Sequence, residues 1–228
     1  MGLFTAEIAV WSKGYVWQEV DGRRCLEPRG PFADGSFRRY DPFAESPLAF
    51  DELAQLGRGV DERDDSEERV ADFANRRGLL WGQGQPHRPG LSTFDNWSAE
   101  AKLLAGAVRL WESDDGDKAN QLSQLLARRP GLALTHAVDM KPDGSLVVGL
   151  HVAELVQVLW AQFTLWAAGH VQARRCRQCH RLFEIRPGMR SDRLYCSRRC
   201  NNAAYERRQL DATGIKSETD VGKSPRGK

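Results

Sequence analysis

With 228 residues, 41% of them hydrophobic, and seven tryptophans, the chain can hold one substantial core plus a small appendage, which excludes wholesale disorder. Its formal net charge of +2 conceals an asymmetry, because residues 1–172 carry 18 basic against 25 acidic side chains. From Arg174 to Arg208 eleven arginines face Glu184, Asp192 and Glu206, so an acidic body carries a basic module suited to a polyanion.

In chain order, Ile8–Trp11 and Tyr15–Trp17 flank Ser12-Lys13-Gly14, which predicts a β-hairpin, and Val20-Asp21-Gly22 adds a second turn. Prolines and glycines then interrupt the chain as far as Ser46. Apolar residues recur at helical spacing from Leu48 to Leu56. The acidic run Asp61–Glu68 lacks the glycine and ligand periodicity of a calcium loop and reads as solvated. It leads into a helix over Glu67–Asn75 that closes at Gly78. Beyond the Gly/Pro-rich stretch 82–90, helices are expected over Trp97–Ser113 and Asp117–Arg128, separated by an Asp-rich turn at 114–117. Leu132–Val138 and Ser145–Leu150 flank Pro142-Asp143-Gly144 and predict a further hairpin. The segment His151–His170 is apolar on nearly all sides, as befits a central core helix.

The expected fold class is therefore α+β and mainly α. A helical N-terminal domain over residues 1–172 carries one or two β-hairpins, a C-terminal treble-clef zinc finger spans 173–210, and a disordered tail spans 211–228. No charged segment followed by an apolar stretch opens the chain, so no secretory signal is expected. Cys25 stands apart from the other four cysteines and reads as a half-buried or free thiol. Cysteine usage fits a reducing cytoplasm.

Those four cysteines carry the sharpest signal. Cys176-x2-Cys179 and Cys196-x3-Cys200 have the spacing of a ligand set for one structural, tetrahedral Zn²⁺. Arg181–Ile185 and Leu194-Tyr195 are expected as two strands joined through Pro187-Gly188. Ser197 is placed to cap a helix that begins beside the second pair. His180 abuts the knuckle but is surplus once four thiolates complete the site. On a helical wheel Arg198, Asn201, Asn202, Tyr205 and Arg208 gather opposite Cys196 and Cys200, and Arg and Asn can read guanine and adenine edges. Arg186, Arg190 and Arg193 are expected to meet phosphates.

These residues, from Cys176-Arg-Gln-Cys179 through Tyr195-Cys196-Ser197-Arg-Arg-Cys200-Asn201-Asn202, resemble the CGNR-type zinc finger of bacterial transcription regulators. Phe73-Ala74-Asn75-Arg76-Arg77-Gly78-Leu79-Leu80 is similar to a segment of the helical N-terminal domain in the same family. The resemblance implies four cysteine ligands, DNA binding, and an N-terminal domain that senses a small molecule, dimerises or binds a partner. Where the family has Cys-Gly-Asn-Arg, this chain has Cys200-Asn201-Asn202-Ala203, so Cys200 and Asn202 match and the arginine is missing.

Two other readings stay open on the residues: RNA in place of DNA, and a zinc-shaped protein-docking module. The remaining histidines form no triad or metal pair, and residues 181–208 contain no histidine for a treble-clef nuclease. The chain is accordingly expected not to be an enzyme.

Overall fold

The computed structural model describes residues 4–30, 37–59, 65–81, 92–127, 135–140, 146–152, 154–186, 188–190 and 192–213. Two units follow one another, Met1–Val171 and Gln172–Lys228. Among the described residues no helix is long and apolar enough to cross a membrane.

The first unit opens with β1 (Phe4–Thr5), β2 (Ile8–Trp11), β3 (Tyr15–Val20), β4 (Arg23–Pro28) and β5 (Phe37–Tyr40). The turn at 12–14 forms: Gly14 donates to the Trp11 carbonyl at 2.9 Å and adopts φ 77°, a conformation that favours glycine. The strands on either side of it do not pair with one another, however. β2 pairs antiparallel with β5, Ile8 opposite Tyr40, whereas β3 pairs with β4 across Asp21-Gly22, Val20 opposite Arg23. The expected first hairpin is thus replaced by a non-local pairing, and the second turn makes the local one.

Helices α1 (Pro42–Glu45), α2 (Ala49–Gly57), α3 (Ser66–Arg77), α4 (Phe94–Glu112) and α5 (Lys118–Ala127) follow. Asp41 accepts from the Phe43 amide at the start of α1, and Thr93 accepts from the Asn96 amide at the start of α4. Glu67 and Glu68 in the first turn of α3, with Arg76 and Arg77 in its last, complement the helix dipole. Gly78, at φ 94°, ends that helix. In the Asp-rich turn, Asp115 accepts from the Asp117 amide at 2.8 Å, as a solvated turn requires. The acidic residues 61–64 and the connector 82–90 lie outside the described residues.

β6 (Thr135–Met140) and β7 (Leu146–His151) form the expected later hairpin, its connecting loop lying outside the described residues. β7 also pairs in parallel with β1, which completes a sheet of order β1-β7-β6. Because His151 belongs to β7, the central helix α6 (Leu155–Ala167) starts later than its apolar run.

Leu155, Val158, Leu159 and Phe163 of α6 are fully buried, as are Phe50 and Leu53 of α2 and Trp97, Ala101 and Leu104 of α4. Two of the polar groups buried in this core are held by partners within it. Gln162 Nε2 donates to the carbonyls of Pro42 and Ser46 at 2.9 Å, and its Oε1 accepts from the Phe50 amide. The Trp160 indole donates to buried Glu100 at 2.5 Å. Cys25 is a buried free thiol, held up from its ordinary pKa by burial and then by Glu27.

Candidate metal centre

The second unit consists of β8 (Ala173–Arg175), β9 (Leu182–Glu184) and α7 (Arg198–Thr213). β8 and β9 pair antiparallel, Arg175 opposite Leu182, and the first cysteine pair sits on the turn that joins them. The Cys176 amide donates to the Arg181 carbonyl, and the His180 amide to the Cys176 carbonyl, both at 2.9 Å. His180 takes φ 58° to close the knuckle, and its carbonyl accepts from Arg175 Nη1 at 2.7 Å. β9 therefore pairs with β8 and not with Leu194-Tyr195. That expected second strand is irregular here, and it is tied to the knuckle by the Arg177 amide donating to the Leu194 carbonyl at 3.0 Å.

The second cysteine pair is fixed by the start of α7. Ser197 Oγ accepts from the Cys200 amide at 3.2 Å, which is the expected cap. Cys200 thus lies in the first helical turn.

All four sulfurs, from Cys176, Cys179, Cys196 and Cys200, lie within 4.8 Å of one another. Cys179 Sγ stands 3.6 Å from Cys196 Sγ, which is 3.5 Å from Cys200 Sγ. None is in a disulfide. A tetrahedral metal with M–S bonds of about 2.3 Å separates its sulfurs by about 3.8 Å, so the cluster is close to the required size. Four cysteines close together can hold one metal ion. His180 is exposed and stands outside the cluster.

Without a cation, burial and the crowding of the sulfurs oppose ionisation of Cys179 and Cys196. Burial and then the neighbouring sulfurs push Cys196 up to about 12, and burial likewise raises Cys179. Burial also acts on Cys176, but there it is outweighed by hydrogen bonds from the Cys179, Cys196 and Gln178 backbones, which bring the thiol down to about 6. A divalent cation reverses this balance by stabilising the thiolates it binds. The rest of the unit is a poor core: among its described residues, Cys176, Phe183 and Ala204 are the buried hydrophobic ones. So little apolar burial cannot offset the entropy of ordering the segment, and ligation would supply the missing stabilisation.

α7 turns Ala204 inward and leaves Arg198, Asn201, Asn202, Tyr205 and Arg208 exposed. Arg190, Arg198 and Asn201 line a groove of about 550 Å³ together with Asp192, Leu194, Tyr195 and Ser197, and Arg190 Nε stands 3.8 Å from Asp192 Oδ1. Arg193 also lines it, but its guanidinium is committed inward, to the carbonyls of Tyr195 at 2.7 Å and Cys196 at 2.6 Å. It also stands 5.6 Å from the centre of the Phe183 ring. Arg186 is paired with Glu184 at 2.8 Å, and Arg208 Nε donates back to the Ala204 carbonyl at 3.2 Å. Arg186, Asn202, Tyr205 and Arg208 do not line the groove. Sequence reasoning missed Met189 and Leu194, which are 41% and 38% exposed on that groove; scattered single apolar residues carry no periodic signal.

Compared with protein-family models, curated proteins and solved structures, the chain matches none.

Proposed function

We propose that the protein is a zinc-dependent DNA-binding protein, a transcription regulator of the CGNR-like type that engages DNA through its C-terminal module. The observation that carries this reading is the pairing of a four-sulfur cluster with an exposed Arg/Asn helix surface on the same small unit. Zinc is the metal that four cysteines in two short-range pairs suit best. A knuckle first and a helix start second support the treble-clef reading, while the strand partner of β9 precedes the knuckle. Arg198 and Asn201 project from the first turns of α7 beside Arg190, a position from which guanidinium and amide groups reach base edges and phosphates. The acidic first unit would keep the polyanion confined to the basic one, and it would receive the effector or second subunit.

The test is binding of the zinc-loaded chain to duplex DNA and to RNA of matched length across a salt series. Affinity for DNA must fall linearly with log salt, by about 0.9 per phosphate contacted. Salt-independent binding, or a preference for RNA, would remove the reading. The exposure of Met189 and Leu194 favours one alternative, a zinc-shaped surface that docks a protein. That alternative predicts no sequence selected from a random DNA pool.

A further inference from the structure

The acidic first unit carries a cationic groove of its own. It has a volume of about 450 Å³ and is bordered by Trp11 and Ser12 at the end of β2, Arg38 of β5, and Arg76 and Arg77 in the last turn of α3. Three arginines line it, in a unit where acidic residues outnumber basic ones by seven. A single carboxylate, Glu52, serves two of them: Arg77 Nη2 lies 2.6 Å from it and Arg76 Nη2 lies 3.6 Å away. Arg38 Nη2 donates to the Arg76 carbonyl at 2.9 Å, and its guanidinium stands 5.4 Å from the centre of the Tyr40 ring. Among the described residues, no carboxylate lies within ion-pair distance of Arg38.

The three arginines differ in exposure and pairing. Arg77 is 20% exposed and is held by Glu52 and by Ser46 Oγ. Arg76 is 59% exposed and only loosely paired, so it can turn toward a ligand. An anion bound between Arg38 and Arg76 would gain charge-assisted, bidentate hydrogen bonds.

We propose that this groove binds a small soluble molecule bearing a carboxylate or phosphoryl group, recognised by Arg38 and Arg76. The site lies wholly within the first unit and does not depend on what the metal-bearing unit binds.

The test is residue-resolved NMR of the full zinc-loaded chain, titrated in separate arms with succinate and with pyrophosphate at constant ionic strength. The expected result is a saturable shift of the Ser12, Arg38, Arg76 and Arg77 amides in one arm at millimolar ligand or below. Arg38→Ala should weaken that binding about tenfold, as loss of a charge-assisted contact does. Arg38→Gln, which keeps a side-chain stem over Tyr40, serves the same purpose should the alanine variant misfold. Shifts that follow ionic strength without saturating, shifts confined to residues 174–208, or unchanged affinity in the Arg38 variants would each overturn the proposal. So would duplex DNA shifting the same four amides, since the groove would then belong to the nucleic-acid surface.

Discussion

Arg193 donates from Nη2 to the carbonyl of Cys196 at 2.6 Å. That bond fixes the residue from which the chain enters α7, and it divides the arginines of the basic module by role. Arg193, half-buried against Phe183, shapes the module, whereas Arg198 is exposed and without a described partner. Arg193→Ala should therefore lower the stability of the metal-bearing unit by about 2 kcal/mol, read as increased zinc loss to a chelator. Arg198→Ala should leave zinc retention unchanged and reduce the salt slope of DNA binding by about one. Equal effects of the two variants on both readouts would contradict this division.

Metal binding should release protons. With Cys196 pushed up to about 12 and Cys179 raised, both thiols are protonated at neutral pH when no cation is present. The metal binds thiolates, so binding expels these protons, and affinity must rise with pH and fall as the solution is acidified. Calorimetry of zinc binding in buffers of different ionisation enthalpy measures the release directly. An apparent enthalpy independent of the buffer would contradict it.

In the first unit, α2 and α4 cross at Gly57. A Cβ built there would stand 2.1 Å from the Ala101 carbonyl oxygen and 2.2 Å from its carbon, both backbone atoms that cannot swing aside. Gly57→Ala should force the helices apart and cost about 3 kcal/mol, seen as a lower midpoint in urea. A neutral or stabilising effect would show that the helices do not approach so closely.

Gln162 is almost fully buried, and its amide bonds three backbone groups around α1 and the start of α2. Gln162→Leu preserves much of the volume but orphans one N–H, and it removes a donor from two carbonyls. A loss of about 2–4 kcal/mol is expected, from the same urea unfolding curves. A variant as stable as the parent would mean that water reaches these groups.

Much of this arrangement is written locally. The helices over 49–57 and 66–77 follow from apolar spacing and, for the second, from the stop at Gly78; the helix expected over Trp97–Ser113 starts one turn earlier, at Phe94, because Thr93 caps it. The sulfur cluster follows from cysteine spacing, because knuckle and helix start are both short-range structures. What was not legible is non-local. Nothing in Ile8–Trp11 says that its partner is Phe37–Tyr40 rather than the strand three residues on, since a strand's preference is largely a preference for its neighbours. Arg174 and Arg175 are weak strand formers, yet they pair with β9 because the knuckle brings them opposite it. His151 opens the apolar run that reads as helix, and its pairing with Thr5 and Thr135 keeps it in β7 instead. The groove at Leu194 and Asn201 depends on how an irregular segment lies beside α7, which no periodicity encodes.

The central claim is that Cys176, Cys179, Cys196 and Cys200 together hold one zinc ion, and that this ion organises the basic module. Native mass spectrometry of the full chain, purified without added metal, tests it most directly when run beside the four single Cys→Ser variants and Cys25→Ser. The account predicts one zinc per parent chain, retention in Cys25→Ser, and loss or sharp weakening in each of the other four. A metal-free parent chain, or zinc retained undiminished in any of those four, would contradict it.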